Sequence, residues 1–578
     1  MKLLLSGNAA IARGAYESGV SVASAYPGTP STEILETIAS EYPDIYAEWS
    51  PNEKVAFEVG MGCAFAGGRA LVAMKHVGVN VAADPLFTLA YTGIRGGFVL
   101  IDADDPGMHS SQNEQDNRNY AKFAKVPLLE PSDSQEAKDF VKEAFRISEQ
   151  FDVPVIVRTT TRIAHSESLV ELNEKENIKP PEGFVRDVQK FVMIPAYARL
   201  RHVIVEERLK KLQAFSEETP LQKIELQDEN IGIITSGVSY QYAKEIMPDA
   251  SFLKLGMTYP LPQNLIHDFA DKVKELYVVE ELDPFLESQI REMGINVKGL
   301  GRRLGELSPD ILAEFFHGKV TPKILPEMKL PGRPPAMCPG CPHRSVFYML
   351  KKKKLTVSGD IGCYTLSVLP PLEIMDTCVC MGASITTAMG IEKATKRSDN
   401  VVAVIGDSTF VHSGITGLVD MVYNNSKGTV FILDNETTAM TGRQDHPATG
   451  RTLMGEETKR LNLGELAKTL GVEYVKYVDP YDLSDLESVI DEATKLDKLA
   501  VVITNRPCIL LRRDAKPKLA EVDHEVCVAC GLCLRLGCPA MSRTSSENKK
   551  TKIDPVLCSG CMVCAKICRT KAIFEKGN

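Results

Sequence analysis

Short apolar runs alternate with longer amphipathic stretches along most of the chain. ALVAMKHV, GGFVLIDA and VPVIVRT lie in the first 165 residues, and VVAVIG, GTVFILD and LAVVITN lie within 336–515. Continuous runs of this length are typical of strands that are buried on both faces of a parallel sheet. Helical stretches punctuated by glycine separate them, as βαβ units require. The pattern therefore predicts an α/β protein.

Two breaks in this alternation predict where domains end. The segment SESLVELNEKENIKPPEGFVRD is charged, contains Pro-Pro and lacks periodicity, and PEMKLPGRPPAMCPGCP is dense in proline and glycine. A chain of 578 residues is also too long for a single hydrophobic core. We predict an α/β domain at 1–170, a linker region at 171–229, a second α/β domain at 230–325, a third at 336–515, and a small cysteine-rich module at 520–578.

The charge and cysteine content narrow the class of protein. The chain carries 67 basic and 76 acidic residues, and this acidic excess argues against a nucleic-acid partner. No apolar run approaches the roughly 20 residues that cross a bilayer, and the apolar stretch after Met1 is too short for a signal peptide. Fifteen cysteines suit a reducing compartment better than an extracellular disulfide protein. We therefore expect a cytoplasmic enzyme with no membrane and no nucleic-acid partner.

Eight of the cysteines form two runs near the end of the chain, CVACGLCLRLGCP and CSGCMVCAKICR. In a [4Fe–4S] site, a C-x2-C-x2-C turn supplies three thiolates and a distant cysteine supplies the fourth. Because this spacing occurs twice, we predict a two-cluster ferredoxin-like module in which the last cysteine of each run binds the other cluster. The first cysteine set is Cys527, Cys530, Cys533 and Cys568, and the second cysteine set is Cys538, Cys558, Cys561 and Cys564. Zinc knuckles or a disulfide scaffold are the alternatives, although zinc sites usually have longer gaps or include a histidine.

Two strands of the third predicted domain end in polar residues. VVAVIG is followed by Asp407, and GTVFILD is followed by Asn435. Because parallel strands end at the same edge of a sheet, we expect these side chains at the edge where open α/β folds bind ligands. A carboxylate and an amide are hard oxygen ligands suited to Mg²⁺. The alternative is that Asp407 and Asn435 only shape turns and cap helices.

This pair of strand ends resembles the thiamine diphosphate signature, in which GDG is followed at a matching distance by NN. In this chain Ser408 replaces the second glycine and Asp434 replaces the first asparagine. The resemblance implies a diphosphate contact at Gly406, Asp407 and Ser408, and Mg²⁺ ligands from Asp407, the Asn435 side chain and the Thr437 carbonyl.

A third stretch, AMCPGCPHRSV, resembles the entry to the diphosphate domain of 2-oxoacid:ferredoxin oxidoreductases. The resemblance implies that His343 lines the diphosphate pocket, although it could equally be a structural histidine. By spacing alone, Cys338 and Cys341 are a redox pair or half of a zinc site. The remaining cysteines show no ligand spacing and are expected to be small buried hydrophobes, namely Cys63, Cys363, Cys378, Cys380 and Cys508.

The N-terminal segment resembles the pyrimidine-binding domain of the same superfamily. YPGTPSTEI parallels a loop near the oxoacid, which implies that Thr29 contacts the substrate. SPNEKVAFEVG places Glu53 where thiamine enzymes carry a catalytic glutamate, which hydrogen-bonds the aminopyrimidine from a dry pocket. Alternatively, Asn52 caps a helix and Glu53 stabilises its positive end; the two roles do not exclude each other.

The order of all these segments is similar to that of the large subunit of indolepyruvate:ferredoxin oxidoreductases. The resemblance implies several doubly wound thiamine-diphosphate-binding domains, a transketolase-C-terminal-like domain at 230–325 and the ferredoxin-like α+β module. It also implies oxidative decarboxylation of arylpyruvates to aryl-acetyl-CoA, with ferredoxin as electron acceptor. The expected cofactors are thiamine diphosphate, Mg²⁺ and two [4Fe–4S] clusters. The expected partners are coenzyme A, ferredoxin and a smaller beta subunit, in a heterodimer or a dimer of heterodimers.

Three other functions remain open at this point. The same chemistry could act on pyruvate or a branched-chain oxoacid. A non-oxidative 2-oxoacid decarboxylase would need no electron path, which the eight cysteines near the chain end argue against. A non-catalytic electron-transfer subunit would need neither Glu53 nor the pair formed by Asp407 and Asn435.

Overall fold

The protein is described by a computed structural model that covers residues 1–180, 183–318, 334–511, 519–545 and 548–576. The chain divides into two compact units, Met1–Pro326 and Glu327–Asn578. Both units are α/β and contain parallel sheets, as the apolar runs predict. No helix within the described ranges is long and apolar enough to cross a bilayer.

The first unit contains fourteen strands and thirteen helices in its described residues. The strands are β1 (Lys2–Ser6), β2 (Val22–Ala25), β3 (Tyr46–Trp49), β4 (Ala70–Lys75), β5 (Phe98–Asp104), β6 (Leu128–Leu129), β7 (Val155–Thr160), β8 (Glu167–Glu171), β9 (Gln222–Glu225), β10 (Asp228–Thr235), β11 (Ala250–Leu255), β12 (Met257–Tyr259), β13 (Glu275–Val279) and β14 (Lys298–Gly299). The helices are α1 (Gly7–Glu17), α2 (Thr32–Glu41), α3 (Glu53–Phe65), α4 (His76–Thr92), α5 (Arg118–Ala124), α6 (Ser134–Phe151), α7 (Thr161–His165), α8 (Val188–Phe191), α9 (Pro195–Glu218), α10 (Gly237–Ile246), α11 (Gln263–Ala270), α12 (Phe285–Glu292) and α13 (Pro309–His317).

A seven-stranded sheet forms the centre of the first unit. Its order is β12-β6-β7-β5-β4-β2-β3, and all pairs are parallel except β12 with β6. Every residue of β5 and β7 is buried, which explains why these strands appear in the sequence as continuous apolar runs. Since β5, β4, β2 and β3 are neighbours, the segments after them meet at one edge of the sheet.

A second, five-stranded sheet lies in the same unit, in the order β14-β13-β10-β11-β9, with β9 antiparallel. Arg118 at the start of α5 is 1% exposed and ties this part to the first sheet. Its guanidinium donates to Glu280 Oε2 at 2.7 Å and to the carbonyls of Glu281 and Asp283 at 2.7 and 2.9 Å. The two sheets are therefore joined through a buried cation with charged and neutral acceptors.

Helix α9 lies within the predicted linker region 171–229. Arg201 donates to the carbonyls of Tyr91 and Thr92 at 2.7 and 2.9 Å, and Arg208 donates to the carbonyl of Asp152 at 2.7 Å. These bonds satisfy carbonyls at the ends of α4 and α6, so the helix is packed on the first sheet domain. The boundaries of the five predicted segments stay predictions.

The second unit contains nine strands and seven α-helices in its described residues. The strands are β15 (Thr356–Ser358), β16 (Val401–Gly406), β17 (Gly428–Asp434), β18 (Tyr474–Val478), β19 (Leu499–Asn505), β20 (Ala520–Val522), β21 (Met541–Arg543), β22 (Thr551–Ile553) and β23 (Ile573–Glu575). The helices are α14 (His343–Lys353), α15 (Ala383–Thr395), α16 (Asp407–Thr409), α17 (Ile415–Tyr423), α18 (Leu463–Thr469), α19 (Leu483–Ala493) and α20 (Val563–Ile567). Strands β15-β16-β17-β19-β18 form one parallel sheet in that order.

The last part of the second unit contains two small antiparallel sheets, β20 with β23 and β21 with β22. Leu536, Val563 and Ile567 from this part belong to the same buried apolar cluster as Phe347 and Leu350 of α14. The cysteine-rich segment therefore shares the hydrophobic core of the second unit.

Glu136 in α6 gives a prediction for the stability of the first unit. It is 7% exposed and pairs with Lys254 of β11 and, at 2.7 Å, with Lys223 of β9. Burial opposes its ionisation, but the two lysines lower its pKa to about 2. Because this lies below the ordinary value of 4.5, the interaction stabilises the fold fully above pH 4.5 and is lost as the pH falls toward 2. Glu136→Gln leaves buried Lys254 unpaired and should cost about 3 kcal/mol at neutral pH.

Thermal unfolding of wild type and variant measures this effect. The difference should be constant between about pH 6 and pH 8 and shrink below about pH 4.5. Glu275→Gln is the matched control, because Glu275 pairs with Lys298 at an exposed position and should change stability little. Equal effects of the two substitutions would contradict the assignment.

Candidate active site

Asp407 lies where β16 ends and α16 begins, and it is 3% exposed. Its Oδ2 atom accepts the backbone N–H groups of Asn435 at 3.1 Å and Glu436 at 2.9 Å, and Oδ1 accepts that of Ser408 at 2.8 Å. The carboxylate thus ties the end of β16 to the segment after β17. The structure therefore brings Asp407 and Asn435 together at the carboxyl edge of the sheet.

His343, the first residue of α14, orients the Asn435 side chain. Asn435 Nδ2 donates to His343 Nε2 at 3.2 Å. Burial lowers the pKa of His343 to about 4, so the ring is neutral and its Nε2 can accept. The amide oxygen of Asn435 accepts the N–H of Thr437 at 3.3 Å. With its nitrogen held by His343, the amide presents oxygen as the atom available to a cation.

The charges around Asp407 keep this carboxylate ionised. Burial alone would raise its pKa, but His446, whose Nε2 lies 3.4 Å from Asp407 Oδ2, holds the pKa below the ordinary value. Burial, and then the charge of Asp407, raise the pKa of neighbouring Asp434 to about 6. Asn505 Nδ2 donates to Asp434 at 2.7 Å. The site therefore holds one firmly ionised carboxylate beside one that protonates more easily.

The end of β15, next to Asp407, carries a third buried carboxylate, Asp360. It follows β15 and accepts the N–H groups of Gly382 at 2.9 Å and Ser384 at 3.0 Å, which holds the start of α15 beside this strand end. Gly406 donates its N–H to the Tyr364 hydroxyl at 2.9 Å, and a Cβ at position 406 would lie 3.0 Å from the Tyr364 ring. Glycine is therefore needed here for close packing of the backbone.

These residues fit the magnesium and diphosphate that the sequence motif implies. Asp407 supplies an ionised carboxylate, Asn435 an amide oxygen, and Thr437, which is 3% exposed, a backbone carbonyl in the same short segment. Mg²⁺ takes few protein ligands of this hard oxygen type and completes its shell with phosphate oxygens and water. Asp407 Oδ1 accepts one N–H in the structure, so a lone pair remains for a cation.

Glu53 begins α3 in the first unit and is 5% exposed. Asn52 caps the helix by accepting the N–H of Val55 at 2.9 Å, so the capping role proposed for Asn52 is present. Gly78 of α4 faces the glutamate, and a Cβ there would lie 2.7 Å from Glu53 Cγ. The glutamate is therefore held in a dry, tightly packed position, as a catalytic carboxyl requires.

Thr29 and Lys75 lie at the same edge of the seven-stranded sheet, after β2 and at the end of β4. Thr29 is half-buried, and its carbonyl accepts the Ser110 hydroxyl at 3.3 Å. Burial lowers the pKa of Lys75, while the charges of Asp105 and Glu53 raise it. In the described ranges, Lys75 Nζ makes one hydrogen bond, to the Ser110 carbonyl at 3.0 Å. An ammonium has three donors, so two remain for a ligand.

The two predicted cysteine sets line two separate cavities. The first cysteine set lines one of about 330 Å³ together with Val528 and Thr551. The second cysteine set lines another of about 320 Å³ together with Gly340 and Met541. Cys530 is exposed, so the first cavity has a side that reaches the surface.

The arrangement of the cysteines bears on the zinc alternative. Across the described ranges, no three His, Cys, Asp or Glu side chains are arranged to hold one metal ion. A zinc ion with Zn–S bonds of about 2.3 Å needs sulfurs about 4 Å apart, whereas the thiolates of a four-iron cluster stand further apart. Each set of four cysteines surrounds a mostly apolar space, and four thiolates are the ligands that one four-iron cluster needs.

The structure also brings together four cysteines that the sequence spacing did not predict as a group. Burial, and to a lesser extent neighbouring thiols, raise the pKa of Cys363 to about 11 and that of Cys341 to about 12. The interacting residues, which we call the loop cysteine group, are Cys338, Cys341, Cys363 and Cys508. The N–H of Cys508 donates to the Asn435 carbonyl at 2.9 Å, so this group adjoins the candidate magnesium site.

The expectation that the five remaining cysteines are small buried hydrophobes is wrong for four of them. Cys378 and Cys380 are exposed, because their segment is irregular and leads into α15. Cys63 and Cys363 are half-buried, and only Cys508 is buried. Cys363 and Cys508 are members of the loop cysteine group, not isolated residues.

Three more residues that lie beside candidate residues within their own units were not found from the sequence. Asp360 follows the short strand in LTVSG and carries the same signal as Asp407, a carboxylate at a strand end. Lys75 ends the apolar run ALVAMK, so it is also a charged residue at a strand end. His446 lies in an irregular segment between β17 and α18, and no local pattern marks it.

Two family models match the chain. Residues 360–504 match "Thiamine pyrophosphate enzyme, C-terminal TPP binding domain", and residues 13–207 match "Pyruvate flavodoxin/ferredoxin oxidoreductase, thiamine diP-bdg". The first covers the segment that contains Asp407 and Asn435, and the second covers Thr29 and Glu53.

Proteins of known name match over the whole length. The chain is 42% identical to the indolepyruvate oxidoreductase subunit IorA of Archaeoglobus fulgidus, with 99% of this chain and 97% of the relative covered. It is 41% identical to the subunit of the same name from Pyrococcus horikoshii, with 100% and 97% covered. A solved 2-oxoglutarate:ferredoxin oxidoreductase from Magnetococcus marinus matches at 16% identity and a TM-score of 0.45, over 54% of this chain and 64% of that chain. The chain therefore belongs to the IorA family and is a thiamine-diphosphate-dependent 2-oxoacid:ferredoxin oxidoreductase.

Proposed function

We propose that the protein oxidatively decarboxylates arylpyruvates of the indolepyruvate and phenylpyruvate type. One arylpyruvate anion and one coenzyme A give one aryl-acetyl-CoA, CO₂, a proton and two electrons, which ferredoxin accepts. The observation that carries the proposal is full-length identity above 40% to subunits named for indolepyruvate. The arrangement of Asp407 beside Asn435 supports it, because it suits a magnesium-bound diphosphate.

The residues of the second unit would hold the cofactor. Asp407, Asn435 and the Thr437 carbonyl would bind Mg²⁺, and the backbone from Gly406 to Ser408 would bind the diphosphate. His343 fixes the Asn435 amide so that its oxygen faces the ion. When bound, thiamine diphosphate supplies the carbanion stabilisation that decarboxylation of a 2-oxoacid needs.

The residues of the first unit would serve the aminopyrimidine and the substrate. Glu53 holds and returns a proton at its carboxyl group, and its 5% exposure excludes competing water. Thr29 contacts the substrate, and Lys75 binds the substrate carboxylate with its two spare donors. The Lys75 charge is a suitable anchor because its half-buried ammonium has donors left for an anion.

The cysteine-rich module would carry the electrons away. We propose a ferredoxin-like module at 520–578, with one [4Fe–4S] cluster in the first cysteine set and one in the second cysteine set. Their cavities support this assignment. The exposure of Cys530 favours the first cysteine set as the exit to external ferredoxin. We further propose a smaller beta subunit as partner, in a heterodimer or a dimer of heterodimers.

The substrate class is tested with the two-subunit complex under anaerobic conditions. We expect indolepyruvate and phenylpyruvate to support reduction of ferredoxin or viologen, and we expect this reduction to depend on coenzyme A. The kcat/KM values for pyruvate, branched-chain oxoacids and 2-oxoglutarate should be at least about tenfold lower, because apolar pockets discriminate between side chains by about 1–3 kcal/mol. Preference for a non-aromatic oxoacid would contradict the proposed specificity. Release of an aldehyde without reduction would favour a non-oxidative decarboxylase.

Asp407→Asn tests the magnesium site. The variant keeps the shape and an accepting oxygen but loses the charge, so thiamine diphosphate affinity should fall by at least about tenfold. Bound thiamine is measured after gel filtration at several magnesium concentrations. Asp420→Asn, at an exposed position of α17, is the control and should bind like wild type. Unchanged binding by a folded Asp407→Asn protein would contradict the assignment.

Lys75→Met tests the substrate anchor. Removing the ammonium should raise KM for arylpyruvates by about tenfold or more, because a hydrogen bond to a charged group is worth about 1.5–3 kcal/mol. Lys75→Arg should recover part of the loss. Lys122→Met, at an exposed position of α5, is the matched control. A lower kcat with unchanged KM in Lys75→Met would assign the residue to another role.

A further inference from the structure

Arg344, the second residue of α14, joins two loops that carry cysteines. The side chain is buried, with 4% exposure. Its Nε donates to the Cys338 carbonyl at 3.1 Å, and Nη2 donates to the Met337 carbonyl. Its Nη1 donates to the carbonyls of Gly537 at 2.5 Å and Leu536 at 3.4 Å. One guanidinium therefore holds the loop before α14 against the first cysteine run of the module.

The acceptors of Arg344 are neutral. All four are backbone carbonyls, and the described residues place no carboxylate in an ion pair with it. Burial lowers the pKa of Arg344, and the groups that oppose this are thiols. In order of effect they belong to Cys341, Cys538, Cys338 and Cys561. A buried cation without countercharge is costly, so thiolates bound to iron would supply the missing negative charge.

One cavity is lined by Arg344 together with cysteines from two different sets. It measures about 220 Å³ and is lined by Arg344, Cys341, Cys538 and Cys561 among others. Cys341 belongs to the loop cysteine group, and the other two cysteines belong to the second cysteine set. Gly537 has a φ of +71°, and a Cβ there would lie 3.2 Å from Arg344 Nη1, so glycine lets the guanidinium reach its carbonyl.

We infer that Arg344 raises the reduction potential of the cluster in the second cysteine set and fixes that set beside the loop cysteine group. This inference rests on the proposed function, because it requires the clusters. Reduction adds one negative charge to a cluster, and a nearby buried positive charge favours the reduced state. Arg344 is a positioning residue, since it acts through the cluster and its ligand loops.

The test is an anaerobic redox titration of the two-subunit complex, followed by electron paramagnetic resonance. The signal of the second cysteine set is identified as the one lost in Cys564→Ser. Arg344→Met and Arg344→Gln remove the charge and should lower the midpoint potential of that signal by at least about 59 mV, a tenfold change for one electron. Arg344→Lys keeps a charge and should shift it less. Arg535→Met removes an exposed charge from the same module and should leave it unchanged.

Two results would overturn the inference. One is an Arg344→Met protein with wild-type iron content and the midpoint potential of Arg535→Met. The other is an equal shift in Arg344→Lys and Arg344→Met, which would assign the effect to geometry and not to charge. If Arg344→Met loses the cluster, the result supports the role of Arg344 in fixing the position of the second cysteine set. The midpoint potentials of Arg344→Gln and Arg344→Lys then decide whether its charge raises the reduction potential. Wild-type protein without any cluster signal would instead overturn the electron path of the proposed function.

Discussion

The carboxylate of Asp407 joins two strand ends, and the arrangement of the candidate active site depends on that junction. By accepting the N–H groups of Asn435 and Glu436, it fixes the short segment after β17 against the end of β16. Asn435 is then within reach of His343, which sets the direction of its amide. His446 counters the electrostatic cost of burying the charge. One ionised group therefore orders the backbone, and the backbone orders the neutral oxygens around it.

A similar principle operates, with the opposite sign, where the start of α14 contacts the cysteine-rich segment. Arg344 is a buried cation whose hydrogen bonds go to carbonyls of two separate loops. Carbonyls satisfy the donors but leave the charge uncompensated, so the surroundings favour negative groups nearby. Asp407 and Arg344 thus prepare two neighbouring regions for partners of opposite charge, a cation in one and iron-bound thiolates in the other.

Some of this could be predicted from the sequence, for reasons that differ between residues. The pairing of Asp407 with Asn435 followed from the geometry of a parallel sheet, and the two cysteine sets followed from local spacing. The loop cysteine group could not be predicted, because Cys338 and Cys508 are brought near each other only by the complete fold. The contacts of Arg344 could not be predicted either, because their acceptors are backbone carbonyls and every residue type has one. The continuous apolar runs gave the α/β class because both faces of these strands are covered.

The core that the cysteine-rich segment shares with α14 has a consequence for how the protein matures. Leu536, Val563 and Ile567 complete the packing around Phe347 and Leu350, next to the loop that leads into His343. Metal binding and folding are coupled when the ligands lie within such a core. A newly made chain that lacks iron would therefore be incompletely packed close to its cofactor pocket as well as unable to pass electrons. Formation of the proposed clusters would then complete the packing beside α14 as well as the electron path.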